Sequence, residues 1–218
     1  VRTPLNGLIL ETQLRKMHLA RANAAAFTLD KMQAMVERDE RQIQSLIRLI
    51  EDMLDVSRIR TGKLSIRPAP VDLTQVVARL LENFAAQISA AQSSVNFTAG
   101  QPVVGQWDEF RIEQVISNLL TNALRYGAKK PIDVAVYIEN DQAVVDVRDQ
   151  GIGISAENQQ RVFQQFERVS ASHVTAGLGL GLFISEQIVT AHSGTISVQS
   201  TLGEGALFRV CLPLVQKA

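Results

Sequence analysis

A long stretch of seven-residue periodicity limits what the first part of this chain can fold into. Between residues 32 and 57, apolar side chains recur at positions 36, 43 and 50 and, in a companion row, at positions 32, 46 and 53. On a helix this period builds an apolar stripe that needs a partner helix. Similar spacing in residues 5–17 and a break near the alanine-rich stretch 20–27 predict a hairpin of two helices over residues 5–59.

A single hairpin of this kind buries little apolar surface. Pairing with a second copy would give a four-helix bundle, which we expect; packing of the hairpin against the rest of its own chain is the alternative. Thr61-Gly62 is predicted to end the second helix, and Pro68 and Pro70 bracket a stiff connector. We therefore predict two domains, residues 1–67 and residues 68–218.

The composition of the chain argues against several classes of protein. Lys and Arg number 22, as do Asp and Glu, so the zero net charge gives no electrostatic case for a nucleic-acid partner. The single cysteine, Cys211, excludes a disulfide framework and a cysteine-based zinc site, and it fits a reducing compartment. No apolar run approaches the roughly 20 residues needed to cross a bilayer. We expect a soluble, cytoplasmic chain without membrane contact.

The second predicted domain mixes helices and strands. Alternating apolar residues predict strands, and wider apolar spacing predicts helices. Helices are expected over residues 73–91 and 108–126, and strands over residues 94–98, 132–138, 143–147, 195–200 and 206–212. This mixture over about 150 residues is typical of an α/β sandwich.

Glycines in this domain form two clusters, residues 149–154 after a predicted strand and residues 177–182 before a helical segment. Alternating glycines before a helix leave backbone N–H groups free to face an anion such as phosphate. The alternative is that these glycines only permit tight packing. The spacing excludes the dinucleotide-binding G-x-G-x-x-G fingerprint, and the P-loop pattern is absent.

Two asparagines, Asn118 and Asn122, lie four residues apart on a predicted helix and therefore share one face. Asparagine is a mediocre helix former, so its placement beside Leu119 and Leu120 needs a reason. An amide oxygen is a good ligand for a Mg²⁺ ion that also binds phosphates. An exposed polar face is the alternative.

Together these elements resemble the dimerisation and catalytic core of bacterial sensor histidine kinases. The fold implied is α+β, a hairpin that dimerises into a four-helix bundle, followed by an α/β sandwich ATP-binding domain of the histidine kinase and gyrase type. Six segments carry the resemblance in the family's order: the segment after the phosphoacceptor histidine (1–5), the end of the second hairpin helix (53–62), the N box (118–127), the G1 box (149–154), the F box (163–168) and the G2 box (177–182).

The resemblance implies an ATP site. Asp149 would accept the adenine amino group, Asn122 would coordinate Mg²⁺ on the phosphates with support from Asn118, Arg125 would approach phosphate and Tyr126 would lie near the base. The segment from about 155 to 176 would form a lid anchored by Phe163 and Phe166. The other nucleotide-binding residues implied are Gly151, Gly153, Ile154, Phe166, Gly177, Leu178, Gly179, Leu180 and Gly181.

The residue at position 118 indicates which of two reactions to expect, hydrolysis of ATP or transfer of its phosphoryl group. Related ATPases carry a catalytic Glu at that position, and an amide cannot act as a general base near neutral pH. We therefore expect slow hydrolysis of ATP and transfer of the γ-phosphoryl group to a histidine. The family's acceptor histidine would lie two residues before Val1, and none of His18, His173 and His192 matches it, so this chain is expected to bind ATP without phosphorylating itself.

The resemblance also implies partners. These are a second copy of the hairpin, the receiver domain of a response regulator, and a sensor domain upstream of this chain. The resemblance is also compatible with an inner-membrane anchor in the parent protein. Thr3 would orient water for dephosphorylation of the receiver, or would be an ordinary helix residue before Pro4. Two other functions stay open: a pseudokinase that regulates another kinase by dimerisation, and a gyrase-like ATPase.

Overall fold

The structure, a computed structural model, describes residues 2–21, 24–127, 129–167 and 178–214. It divides into two compact units, of which the first contains the chain up to Ser57 and the second begins at Arg58. Within the described residues, no helix is long and apolar enough to cross a membrane.

The first unit contains two antiparallel helices, α1 at Arg2–Ala20 and α2 at Leu29–Arg60, with a 3-10 turn at Ala24–Phe27 between them; the last three residues of α2 belong to the second unit. The Arg15 guanidinium donates to both carboxylate oxygens of Asp39, at 2.6 and 2.7 Å, and the neighbouring Glu11 pairs with Arg38 at 3.1 Å. This polar cluster links the two helices and fixes their register. The predicted hairpin is confirmed.

The second helix ends as its sequence predicts. The Lys63 N–H donates to the carbonyl of Arg58 at 2.8 Å, and the Gly62 N–H donates to the carbonyl of Ile59 at 3.0 Å. This pair of bonds is the Schellman motif, which satisfies carbonyls that the end of a helix leaves without partners.

Most large apolar side chains of the hairpin are exposed in the single chain. Val36 is 64% exposed and Ile43 is 48% exposed, which are large fractions for branched aliphatic residues. The exposed set is Leu5, Ile9, Leu10, Leu14, Met17, Leu19, Leu29, Met32, Val36, Ile43, Ile47, Ile50, Met53 and Leu54. The hairpin therefore presents an unpartnered apolar surface of the kind that its period predicts.

The second unit is a sheet covered by helices. Its helices are α3 (Leu73–Asn83), α4 (Ala85–Ala90), α5 (Glu109–Tyr126), α6 (Ala156–Gln159) and α7 (Gly181–Ala191). Its strands are β1 (Ala69–Asp72), β2 (Val95–Ala99), β3 (Val104–Trp107), β4 (Ile132–Glu139), β5 (Gln142–Asp149), β6 (Thr195–Thr201) and β7 (Gly205–Pro213). The main sheet has the order β2-β4-β5-β7-β6; β2 and β4 are parallel and the other pairs are antiparallel.

The core of this unit lies between one face of the sheet and the helices α3, α5 and α7. Inward-facing strand residues alternate with more exposed ones, as in β4, where Ile132, Val134 and Val136 are buried. On α5 the buried residues recur at helical spacing and include Ile112, Ile116 and Leu119. The α+β fold class and the sandwich architecture predicted from the sequence are confirmed.

Two details differ from the sequence prediction. Residues 73–91 form two helices rather than one, with a turn at Phe84, whose side chain is 7% exposed. Strands β1 and β3, which the sequence analysis left unassigned, pair antiparallel in a small second sheet, where Pro70 lies opposite Gln106.

Candidate active site

Helix α5 carries the two asparagines on its partly buried side. The Asp108 carboxylate caps the start of this helix by accepting from the Arg111 N–H at 3.2 Å. Asn118 and Asn122 are half-buried and stand one turn apart. Tyr126 at the end of the helix is half-buried and Arg125 is exposed. The helix thus presents two amides along one side, with a cation and an aromatic ring at its end.

Asn118 lies where α5 meets the start of α7. Its Nδ2 donates to the Ser185 Oγ at 3.0 Å. A Cβ at Gly181 would lie 2.2 Å from Asn118 Oδ1, closer than a real Cβ contact allows. The absence of a side chain at Gly181 therefore lets the first residue of α7 approach the asparagine.

Among the described residues, no side chain caps the N-terminus of helix α7. Its N-cap residue, Leu180, is 2% exposed and provides no side-chain hydrogen bond to the first turn. The first backbone N–H groups of a helix have no partner within the helix and carry its positive partial charge. Such an end, adjacent to Asn118 and flanked by Gly179, is suited to an anion such as phosphate.

Asp149, the last residue of β5, presents a buried carboxylate at 6% exposure. Burial raises its pKa, whereas hydrogen bonds from the backbone N–H groups of Gly151 and Ala206 act in the opposite direction. The Gly151 N–H donates to Asp149 Oδ1 at 2.8 Å. A carboxylate fixed in this way is a directed acceptor for a ligand that carries an N–H donor.

The loop after Asp149 lies directly against the end of α5. A Cβ at Gly151 would lie 1.8 Å from the Tyr126 carbonyl oxygen, so only glycine fits there. The Ile152 N–H donates to the same carbonyl at 3.3 Å. Gly153 is buried and adopts a positive φ of 67°, and Ile154 is half-buried. The N-box helix and the G1 loop are therefore in direct contact.

The F-box segment meets the G2 glycines through its backbone. The Phe166 N–H donates to the Gly179 carbonyl at 3.0 Å, while the Phe166 side chain is 60% exposed. Phe163 instead contacts Phe208 edge to face, with ring centroids 6.4 Å apart. Of the two predicted lid anchors, Phe163 makes the ring contact and Phe166 makes a backbone contact.

Some predicted site residues fall outside these contacts. Gly177 and lid residues 168–176 lie outside the described residues, as does His173. Thr3 lies in α1, and its side chain is outside the description. Leu178 is half-buried.

His192 has a structural role in the second unit. It is fully buried, its Nδ1 lies 2.8 Å from the Ile188 carbonyl oxygen, and its Nε2 accepts from the Asp108 N–H at 3.0 Å. Burial lowers the pKa of this imidazole, which favours the neutral form that the acceptor role of Nε2 requires.

Three polar residues that hold the site together were not predicted from the sequence. Ser185, at 2% exposure, is the partner of Asn118, and Gln159 and Ser200 bond to the G1 loop. A serine three and four residues before Ile188 and Val189, on the apolar face of α7, was a usable signal for Ser185. Ser200 has no comparable local signal, because its partner Ile154 lies 46 residues before it. Gln159 bonds to Ile154, five residues before it, but also to Ser200, 41 residues after it, and no local pattern marks that second contact.

Comparison with known families agrees with this arrangement. Residues 107–216 match the histidine kinase-, DNA gyrase B- and HSP90-like ATPase family, and residues 1–62 match the His kinase A (phospho-acceptor) domain. The chain belongs to the sensor histidine kinases. The family resemblance seen in its sequence is thus confirmed, and the second unit of this kinase core is an ATPase-type domain.

Relatives of this kinase core include longer sensor proteins. The alginate biosynthesis sensor protein KinB of Pseudomonas aeruginosa is 30% identical over 217 residues, which cover 98% of this chain and 35% of KinB. Sensor histidine kinase MtrB of Mycobacterium tuberculosis is 33% identical over 172 residues, which cover 77% of this chain and 30% of MtrB. The kinase core therefore spans about a third of the length of these relatives.

Solved structures share the fold of this kinase core. The histidine kinase AdeS of Acinetobacter baumannii has a TM-score of 0.73 at 23% identity, over 98% of this chain and 96% of AdeS. Full-length ShkA in complex with AMPPNP has a TM-score of 0.73 at 22% identity, over 99% of this chain and 47% of ShkA.

Proposed function

We propose that this kinase core binds Mg-ATP between the end of α5, the G1 loop and the start of α7, and that it donates the γ-phosphoryl group to a histidine. The contact between Asn118 and Gly181 carries this proposal, since it joins the amide face of α5 to a helix N-terminus suited to phosphate. Asp149 would then take the adenine amino group, with Gly151, Gly153 and Ile154 forming the loop beside the base.

Magnesium would enter with the nucleotide. Among the described residues, no group of three or more His, Cys, Asp or Glu side chains could hold a metal ion. Mg²⁺ is commonly held by one or two protein oxygens together with substrate phosphates. The Asn122 amide oxygen is the donor we assign to it, and the ion would neutralise phosphate charge during transfer.

Phosphoryl transfer rather than hydrolysis follows from the chemistry of Asn118. Its amide donates to Ser185 and has no basic group to activate water. Bound ATP would therefore be retained until a nucleophile from another surface reaches the γ-phosphate. We assign residues 1–67 to the phosphotransfer hairpin and residues 68–218 to the ATP-binding domain.

The partners we propose follow from the hairpin. Its exposed apolar side chains would pair with a second copy into a four-helix bundle. The phosphoryl group would pass from the bundle histidine to an aspartate of a response-regulator receiver domain, and Thr3 would orient water for the reverse, phosphatase reaction. An upstream sensor domain would control both, with this core on the cytoplasmic side.

Phosphoryl labelling tests the proposal. The parent protein, including the residues before Val1, is incubated with γ-labelled ATP and Mg²⁺, and the labelled protein is then treated with acid and with alkali. We expect label that survives alkali and is lost in acid, as a phosphohistidine is. The same protein with Asn122→Ala should not be labelled, whereas Asn140→Ala, in the turn before β5, should be labelled normally.

The labelling results distinguish the proposed kinase from two alternative functions. Absence of label with intact ATP binding would replace it with a pseudokinase that acts through dimerisation. Rapid steady-state release of phosphate without protein labelling would replace it with a gyrase-like ATPase.

A further inference from the structure

The turn between β6 and β7 is fastened to the G1 loop by side chains outside the family's boxes. The Ile154 N–H donates to the Ser200 Oγ at 2.8 Å, and the Ser200 hydroxyl donates in turn to the Gly205 carbonyl. One hydroxyl thus serves as acceptor for the loop and as donor to the start of β7. Alanine would supply neither group, and a carboxylate could not donate.

Gln159 makes a second connection between the same two elements. Its Nε2 donates to the carbonyl of Ile154 at 3.1 Å and to the carbonyl of Ser200 at 2.7 Å. The Gly203 N–H adds a third connection by donating to the Ile152 carbonyl at 2.7 Å. The loop that follows Asp149 is therefore bound to the β6–β7 turn at both of its isoleucines.

These connections affect Asp149, because the backbone groups that hydrogen-bond to its carboxylate lie in the two elements that are connected, the G1 loop and the start of β7. Gly151, in the loop, donates to Oδ1 at 2.8 Å, and Ala206, which lies opposite Asp149 in the sheet and directly after Gly205, supplies the second backbone hydrogen bond. Ser200 joins Ile154, three residues after Gly151, to Gly205, one residue before Ala206. It therefore links the loop that carries one of these donors to the start of the strand that carries the other.

From this geometry we infer that Ser200 and Gln159 are positioning residues for base recognition, and that they act by holding Asp149 in the orientation that accepts the adenine amino group. This inference rests on the proposed function, which places that amino group at Asp149. It extends the site to the β6–β7 turn and to α6. If the two residues were only structural, they would stabilise the fold without contributing to the preference for the adenine amino group.

The test compares ATP with purine riboside triphosphate, which lacks the 6-amino group. Dissociation constants of both Mg-nucleotides are measured by calorimetry for the whole chain and for Ser200→Ala, Gln159→Met and Asp149→Asn. Ser197→Ala is the matched control, because Ser197 is an exposed serine of the same strand. Ser200→Thr keeps the hydroxyl and is the conservative variant.

We expect Ser200→Ala to reduce the preference for ATP over the analogue by about 5-fold, the equivalent of one hydrogen bond. Gln159→Met should reduce it by a smaller factor and supplies the test if Ser200→Ala does not fold. Asp149→Asn should abolish the preference, Ser200→Thr should restore most of it, and Ser197→Ala should leave it at the wild-type value.

Two contrary results are distinguishable. If Asp149→Asn keeps the preference, the proposed base contact is wrong and the inference falls with it. If Asp149→Asn abolishes the preference while Ser200→Ala and Gln159→Met weaken both nucleotides equally or not at all, the two residues are only structural and the inference alone is overturned.

Discussion

The two units of this kinase core differ in where their apolar side chains lie. In the second unit Leu119 and Ile188 are completely buried, and they belong to a continuous core between the sheet and its helices. In the hairpin, side chains of the same kind are exposed, including Ile43 at 48% and Ile50 at 55%. One unit completes its core within one chain, whereas the other leaves an apolar stripe open.

The interactions that matter for binding therefore differ between the two units. Burial of apolar surface is the main favourable term in folding and in association, so the exposed stripe of the hairpin gives its second copy a reason to bind. The proposed nucleotide site depends instead on short polar contacts within one unit, such as those of Asn118 and Asp149. Substitutions should therefore affect dimerisation and nucleotide binding separately.

The largest effect is expected from placing charge on the stripe. Each buried isoleucine contributes about 1.5–3 kcal/mol, and a two-fold dimer loses each contact twice. The double variant Ile43→Asp, Ile50→Asp should therefore sediment as a monomer where the wild type is a dimer, with its Mg-ATP affinity unchanged. Gln44→Asp, at an exposed position beside the stripe, is the control and should stay dimeric. A dimeric double variant would mean that this surface is not the interface.

A smaller effect is expected from filling the space between α5 and α7. In Gly181→Ala the new Cβ would displace Asn118 from its bond with Ser185, and overpacking typically costs about 1–3 kcal/mol. Both the midpoint of thermal unfolding and the affinity for Mg-ATP should fall. Gly100→Ala is the matched control, since no atom lies within 4 Å of a Cβ there. Equal behaviour of the two variants would argue against the tight contact.

His192 should give the second unit a pH dependence of stability. Burial holds its pKa below the ordinary value of about 6.5. As pH falls below that value, the unfolded chain binds a proton that the folded chain resists, so stability present at pH above it is lost, by at most about 1.4 kcal/mol per pH unit. Urea unfolding at several pH values should give a flatter profile for His192→Asn than for the wild type. Parallel profiles would contradict this role.

The smallest effect is expected at the polar cluster of the hairpin. The Arg15 guanidinium lowers the pKa of Asp39, but both side chains are about a quarter exposed to solvent. Exposed ion pairs contribute about 0.2–1 kcal/mol. Arg15→Met should lower the stability of the hairpin by about that amount in urea unfolding followed by helical circular dichroism. Arg41→Met, whose ion pair is 4.0 Å long and more exposed, is the control. A loss no greater than that of the control would make the cluster irrelevant to stability.

The elements predicted correctly from the sequence are those whose signal is local. The stripe of α2 and the glycines around Asp149 and Gly181 follow from spacing within a few residues, and the helix stop at Gly62 follows from its chemistry. The turn at Phe84 was missed, because the apolar period of α3 continues through it. Periodicity reports which face is buried and does not report a change of helix direction.

The other features that were not predicted depend on contacts between residues far apart in the sequence. Strand β1 pairs with β3 more than 30 residues further along the chain, and Pro70 within it was interpreted as part of a stiff connector. Ser200 reaches Ile154 across 46 residues. Only the folded sheet brings such pairs together, so no pattern in the local sequence could have identified them.

The proposed binding of ATP at Asp149 is best tested by calorimetry of Mg-ATP with the wild-type chain and with Asp149→Asn. Asp141→Asn is the control, because Asp141 is an exposed aspartate at the other end of the same hairpin of strands. We expect one Mg-ATP site per chain in the wild type and in the control. We expect at least about a 10-fold loss of affinity in Asp149→Asn, because the substituted amide no longer accepts as a carboxylate does. Equal affinity in all three proteins would contradict it, and the nucleotide would then have to bind elsewhere.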